Sequence, residues 1–283
     1  MEIICNINFR IRYIIFYLII LNLSLADSDT LKILNYNIYG LHPFYTSFFP
    51  GKFIDKDNSR IKSIFLESEK YDIVFFQENW SYQNLIKKIM RNHQVIVAEK
   101  TNFIIKKNPK RSSGLNFAIS KDFDVVSIED NLFSDCNGHF SDYNDCLASK
   151  GFIYSLISKE KYKINLYVTH LDAGNTKEDI LVREIQLKEL NKHINSISNN
   201  YPFIVCGDFN IDYYESFEII DEFTKNNNFN ILRWDSIYET NKMIDYVFYK
   251  DGINAISIID FNINSILVDK SDHLPIEFTI IVE

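Results

Sequence analysis

Glycine and proline are scarce in this chain of 283 residues, at 8 and 5. That excludes collagen-like, elastic and Gly-rich repeat architectures, and no low-complexity linker divides the chain. Cysteine is equally sparse, with 4 residues. No CxxC pair and no HxxxH spacing occurs, so the sequence offers no cysteine–histidine metal centre. A surplus of positive charge is also missing: 30 Lys and Arg stand against 38 Asp and Glu, a net −8. Such a chain gains no long-range attraction to a polyanion, which disfavours a non-specific nucleic-acid binder. No apolar run reaches the roughly 20 residues that span a bilayer. What is present is ordinary for a globular protein, with 46% hydrophobic and 24% charged residues. A chain of this size buries about three-quarters of its unfolded surface and needs no disulfide scaffold.

Residues 1–26 read as a signal peptide, with export as the expected fate. Arg10 and Arg12 make a positive start, and Tyr13 to Leu25 is apolar apart from Asn22 and Ser24. Ser24-Leu25-Ala26 places small residues before a cut at Asp27. The alternative is a single N-terminal membrane anchor. Removing this segment takes away Glu2, Arg10 and Arg12 and moves the net charge from −8 to −9. It also removes Cys5, leaving Cys136, Cys146 and Cys206. In an oxidising compartment Cys136 and Cys146 are close enough in sequence to bridge, stabilising by roughly 3 kcal/mol at most. Cys206, inside the apolar run FIVCG, reads as a buried free thiol.

From Leu31 onward the chain reads as one domain. Nine apolar runs of strand length recur, at 31–38, 72–78, 115–120, 152–158, 163–170, 203–209, 244–249, 254–261 and 275–281, rich in Ile, Val, Tyr and Phe. Three helical stretches lie between them, at 59–69, 177–197 and 216–225. The second carries Ile180, Leu181, Ile185, Leu187, Leu190 and Ile194 as an apolar stripe. Strands that outnumber interspersed helices predict an α/β layered sandwich, sheets packed on each other with helices outside.

Polar residues stand at the ends of these apolar runs, where they are costly unless solvated, paired or bound to a metal. Asn37 ends the first, Gln77-Glu78 the second, Thr169-His170 another and Gly207-Asp208-Phe209-Asn210 another. Asp245 interrupts the run 243–248, and Ser271-Asp272-His273-Leu274-Pro275 introduces the last strand. Carboxylate and amide oxygens suit Mg2+, Mn2+ or Ca2+, and histidines supply proton transfer. Together they suggest metal-assisted phosphate chemistry.

The order and wording of YN (36–37), QE (77–78), TH (169–170), GDFN (207–210), IDYVF (244–248) and SDHLP (271–275) resemble the endonuclease/exonuclease/phosphatase superfamily, the DNase I-like fold, from Leu31 to Glu283. The resemblance implies a four-layer α/β sandwich, two packed mixed sheets flanked by helices. It implies Glu78 as the principal metal ligand, with Asn37 and Asp272 near the ion or its waters. Asp208 and Asn210 position the attacking water and a phosphate oxygen. His273 is the catalytic histidine, oriented by Asp245, and His170 contacts phosphate or protonates the leaving group. Which histidine is the base stays open. The implied cofactor is Mg2+, with Mn2+ or Ca2+ as alternatives.

Finer details resemble secreted sphingomyelinase-type phosphodiesterases: SSGL at 112–115, DCLASKGF at 145–152 and THLDAG at 169–174. They imply a monomeric phospholipase C-type enzyme cleaving a head-group phosphodiester, with lipid at a membrane surface as partner. A secreted DNase I-like endonuclease, or a phosphatase on inositol phosphates, is the alternative; the acidic charge makes nucleic acid the weaker one. One departure is that no paired exposed aromatics of the membrane-inserting kind are evident. The loop HPFYTSFFP at 42–50 is the candidate for lipid contact, and Lys106, Lys107, Lys110 and Arg111 form one basic cluster. Trp80 and Tyr82 follow Glu78, and Asn79-Trp80-Ser81 is a glycosylation sequon whose glycan would crowd the metal.

Overall fold

In the computed structural model, residues 29–41, 58–100, 112–138, 145–233 and 242–283 are described. The signal segment 1–26, the aromatic loop 42–50 and the basic cluster 106–111 lie outside them.

In chain order the first strands are β1 (Asp29–Asn37), β2 (Ile73–Gln77), β3 (His93–Val97), β4 (Asn116–Ser120), β5 (Asp124–Leu132) and β6 (Gly151–Lys159). There follow β7 (Tyr162–His170), β8 (Phe203–Asp208), β9 (Asn230–Ile231), β10 (Asp245–Lys250), β11 (Ile256–Ile263) and β12 (Ile276–Val282). The helices are α1 (Ser59–Ser68), α2 (Gln83–Ile89), the short α3 (Asp145–Ala148), α4 (Lys177–Ser196) and α5 (Phe217–Asn227). The strands form two six-stranded sheets, ordered β11-β12-β1-β2-β4-β3 and β5-β6-β7-β8-β10-β9. Each has one parallel pair, β1/β2 in the first and β7/β8 in the second, and is otherwise antiparallel. Both are therefore mixed.

Alternation along the strands builds the layers. Leu31, Ile33, Ile73, Phe75, Phe117 and Ile119 join the large core shared with the second sheet. Leu34, Tyr36, Val74 and Phe76, on the other face, form a separate core with Ile61, Ile64 and Phe65 of α1 and with Ile86 of α2. Helices α4 and α5 pack together on the far side of the second sheet. The result is the four-layer α/β sandwich: helices, sheet, sheet, helices. Among the described residues, no helix is long and apolar enough to cross a membrane.

All nine expected strands form, within two residues at each end. Strands β3, β5 and β9 were not anticipated. Strand β5 is a solvated edge whose DVVSIEDNL shows little apolar excess, and β9 has only two residues. Helix α4 starts at a capping box: the Thr176 side chain accepts from the Asp179 N–H while Asp179 accepts from the Thr176 N–H. Its buried stripe differs from the expected one. Leu187, Leu190 and Ile194 are buried, but Leu181 and Ile185 face solvent, and Arg183 and Gln186 take the inward positions. Both serve the loop after β7. Arg183 Nη1 donates to the carbonyls of Asp172, Ala173 and Gly174, at 3.0, 3.2 and 2.7 Å. The Gln186 side chain accepts from the Asp172 N–H and donates to Asp172 Oδ1.

Candidate active site

The site lies where the C-terminal ends of the two parallel pairs meet between the sheets. Strand register does most of the assembly. His170 on β7 pairs directly with Asp208 on β8, and Asp208 pairs directly with Asp245 on β10. Paired residues share a sheet face, so these three side chains form one row across three strands. Facing them, Asn37 continues the inward face of Leu31 and Ile33, and Glu78 follows β2 immediately. Glu78 has φ 60, a left-handed conformation uncommon for a non-glycine residue. Gly207 lets β7 and β8 close up here, since a Cβ on it would lie 2.1 Å from the Thr169 carbonyl oxygen.

Asn37 is the hub. Its Nδ2 lies 3.1 Å from Glu78 Oε1, 3.0 Å from Asp208 Oδ2 and 3.4 Å from His273 Nε2. His273 Nδ1 lies 2.8 Å from Asp245 Oδ2, and its Nε2 is 3.6 Å from Asp208 Oδ2. His170 Nε2 is 3.3 Å from Asp208 Oδ2 and 3.9 Å from Glu78 Oε1. Asn210 donates its backbone N–H to Asp208 Oδ1 and its amide to the Leu171 carbonyl, which fixes the side chain at the edge of the cluster. Seven of the eight residues expected in catalytic and metal-binding roles thus converge. Asp272 does not join the hydrogen-bonded cluster. It is exposed at the rim, accepts from the Ser271 hydroxyl, and acts on Glu78 through its charge.

Burial governs the electrostatics. It pushes the Glu78 carboxyl up to about 7, against the opposing pull of Lys150. It likewise lifts Asp208 to about 6, where the positive field of His273 opposes it. Burial disfavours the His273 charge, but Asp245 and Asp208 overcome this and hold the imidazole well above its ordinary value. His170 is driven well below, first by burial and then by Lys150 and His273, so it is neutral. The two histidines are therefore set to opposite protonation states, one cationic and one neutral.

The donor chemistry fits a hard divalent cation. Ligand atoms of Glu78, His170 and Asp208 lie within 4.8 Å of one another, and so do those of Asp208, Asp245 and His273. Two carboxyls, Asp208 buried and Glu78 half-buried, whose ionisation is opposed by desolvation would be stabilised in charged form by such an ion. A stability test follows. Glu78 in the fold binds its proton more tightly than in the unfolded chain, so raising pH from its ordinary 4.5 through about 7 withdraws stability. In chelator, Glu78→Gln should therefore exceed wild type in urea midpoint at pH 8, and the advantage should shrink towards pH 4.5. An advantage independent of pH would show that Glu78 charge is not the cause.

Lys150 completes the centre; it lies inside the DCLASKGF segment at 145–152, but no role was expected for it. It is buried, with Nζ 2.8 Å from His170 Nε2 and 3.0 Å from Asp145 Oδ1. Burial opposes its charge, but Asp145, Glu78, Asp172 and Asp208 outweigh this and raise its pKa. The available signal was a lysine directly before Gly151, at the start of a strand that pairs with His170. Cys136 and Cys146 are disulfide-bonded, with Cα atoms 5.2 Å apart, and tie down the segment that carries Asp145. Asp145 Oδ2 also accepts the Ala173 N–H. Cys206 is buried and free.

The aromatics after Glu78 are structural. Trp80 and Tyr82 are buried, and the Trp80 indole donates to the Ser112 carbonyl. Gly114 packs against the Trp80 ring where a Cβ would collide. Asn79 of the sequon is fully buried and its amide donates to Asn116 Oδ1, so the folded chain cannot present it for glycosylation.

No family model matches the sequence, and a search of curated proteins finds no significant relative. Solved structures do match. An endonuclease/exonuclease/phosphatase family protein from Bacteroides thetaiotaomicron covers 90% of this chain and 99% of its own, at TM-score 0.66 and 14% identity. The chain has the endonuclease/exonuclease/phosphatase fold. Within it, a Staphylococcus aureus beta toxin variant with bound magnesium ions is similar at TM-score 0.63 and 18% identity, covering 88% of this chain and 99% of the toxin. Sphingomyelinase C from Streptomyces griseocarneus is similar at TM-score 0.61 and 16% identity, covering 89% of this chain and 99% of its own.

Proposed function

We propose that this protein is an exported, divalent-cation-dependent phosphodiesterase of sphingomyelinase type, a phospholipase C-like hydrolase of a phospholipid head group. The observation that carries the hydrolase is the convergence of Glu78, Asn37, His170, Asp208, Asp245 and His273 from distant strands onto one buried cluster. Export rests on the segment 1–26, and lipid preference rests on the wording of 145–152 and 169–174 and on the net negative charge. Solved structures of the same fold include sphingomyelinase C and a mannosyl-6-phosphatase, which supports phosphate-ester chemistry for this chain.

Glu78 and Asp208, each held in place by the Asn37 amide, would hold the cation. When bound, the ion supplies Lewis-acid polarisation and charge screening at the phosphoryl oxygens. The chain does the rest. Asp208, fixed by the Asn210 N–H, orients the attacking water. Asp245 fixes the His273 ring through Nδ1 and leaves Nε2 facing the reaction centre, where it holds or moves the proton. Charged Lys150, at the His170 end of the row, faces the phosphate as a donor to its non-bridging oxygens, and neutral His170, whose Nε2 accepts from Lys150, holds that ammonium in place.

The test is purified mature protein against sphingomyelin vesicles, phosphatidylcholine vesicles, inositol phosphates, plasmid DNA and a chromogenic phosphodiester, each with Mg2+ and with chelator. Release of phosphocholine from sphingomyelin that needs the metal is the expected result. Hydrolysis of DNA or inositol phosphates alone would replace the lipid substrate, and no hydrolysis at any metal would end the enzyme reading.

A further inference from the structure

The catalytic cluster is drawn from both sheets, and its parts must keep their spacing. Asn37 ends β1 and Glu78 follows β2, the first sheet's parallel pair, whereas His273 sits on the segment entering β12. One side chain outside the cluster ties these pieces together. Arg60, at the second position of α1 and half-buried, sends Nη1 to the Ile38 carbonyl at 2.8 Å and to the Lys270 carbonyl at 2.6 Å. Its Nη2 donates to the Tyr39 carbonyl at 2.8 Å. Ile38 and Tyr39 directly follow Asn37, and Lys270 lies three residues before His273.

The first of these segments is conformationally demanding. Tyr39 has φ 47, and Gly40 donates to the Glu78 carbonyl at 2.8 Å with no room for a Cβ. A planar guanidinium with fixed donor directions can define the distance between two such segments, whereas an ammonium offers donors at a single point. The Tyr36 hydroxyl adds a tie to the Leu267 carbonyl at 2.9 Å, further from His273. We infer that Arg60 is a positioning residue for the hydrolytic centre: its guanidinium clamps the turn after Asn37 to the strand-entry segment that carries His273, and so sets the Asn37–His273 spacing, observed at 3.4 Å. This inference rests on the phosphodiesterase reading for its kinetic consequence, but not for its structural one.

The experiment has two arms. In the first, Arg60→Met is assayed with the chromogenic phosphodiester and Mg2+. The expected result is kcat lower by about 100-fold, the order lost when reacting groups are misplaced by about 1 Å, with KM little changed. Millimolar guanidinium should restore part of the turnover in Arg60→Ala. In the second arm the His273 Cε1–H resonance is followed by NMR, assigned with His273→Gln. It should move in Arg60→Met while the resonance of His193, on α4, stays in place. If Arg60→Met does not fold, Arg60→Lys carries both arms, with a smaller kcat loss and the same displaced resonance. Wild-type kcat in a folded variant overturns the inference, and so does an unmoved His273 signal. If wild type itself hydrolyses nothing, the phosphodiesterase reading fails, and the resonance alone decides whether Arg60 positions His273.

Discussion

Replacing His273 with glutamine is expected to lower turnover by about 1,000-fold, within the range that a positioned acid–base group contributes. The fold should be unaffected, because the ring's hydrogen bonds run to the catalytic row itself. The ring is bonded through Nδ1 to Asp245 at 2.8 Å and presents Nε2 to Asp208 and Asn37. Asp245 and Asp208 hold the imidazole cationic well above its ordinary pKa, in spite of burial. Asp245→Asn keeps the shape of the contact and removes the charge. It should therefore lower turnover less than His273→Gln and shift the pH dependence of kcat, because the histidine loses the partner that raises its pKa. The measurement is kcat against pH for wild type and both variants, with circular dichroism as the check on folding. A His273→Gln enzyme within tenfold of wild type would remove His273 from the chemical step. Wild-type turnover and an unchanged pH profile in Asp245→Asn would mean that Asp245 only builds the strand.

Much of this site is legible in the sequence, for a physical reason. A polar residue at the end of an apolar strand is costly unless the site uses it, so Asn37, Glu78, His170, Asp208 and Asp245 stand out from their surroundings. Strand pairing then brings them together without further instruction: the row His170–Asp208–Asp245 is a consequence of register alone. The inward face of α4 was read less well, because a period of apolar residues identifies a helix but not which polar residues share its buried face. Arg183 and Gln186 displaced Leu181 and Ile185 because the loop at 172–174 presents carbonyls and a carboxylate that need donors. Asp272, expected near the ion or its waters, is exposed at the rim and reaches Glu78 and His273 through its charge. The roles of Arg60 and Lys150 were invisible for a shared reason. Arg60 acts through carbonyls far away in the chain, and Lys150, although it lies in the DCLASKGF segment at 145–152, shows its place in the centre only through its contact with His170 on β7.

Lys150 offers the second large effect, and one in which stability and catalysis can be separated. Its ammonium and the Asp145 carboxylate are 3.0 Å apart, with side chains 3% and 4% exposed. Removing one member of such a pair leaves a buried charge uncompensated, at a cost of about 3–5 kcal/mol. Lys150→Met should therefore be strongly destabilised, and its loss of activity would by itself prove nothing. Asp145→Asn combined with Lys150→Met removes both charges at similar volume, and the asparagine oxygen can still accept the Ala173 N–H that Asp145 now accepts at 2.8 Å. The double variant should recover most of the urea stability of wild type, since a buried ion pair is often no more stabilising than its neutral replacement. Turnover should not recover. The ammonium, 2.8 Å from His170 Nε2, faces the same space as Glu78 and Asp208, where negative charge would accumulate on a phosphoryl group, and a lost preorganised donor of this kind costs about 100-fold or more. Stability is read from urea midpoints and turnover from the chromogenic diester. A stable double variant with wild-type turnover would make Lys150 a structural counter-ion for Asp145 alone. A stable double variant that remains about 100-fold impaired would place its charge in the reaction, beside the histidine that the protein keeps neutral.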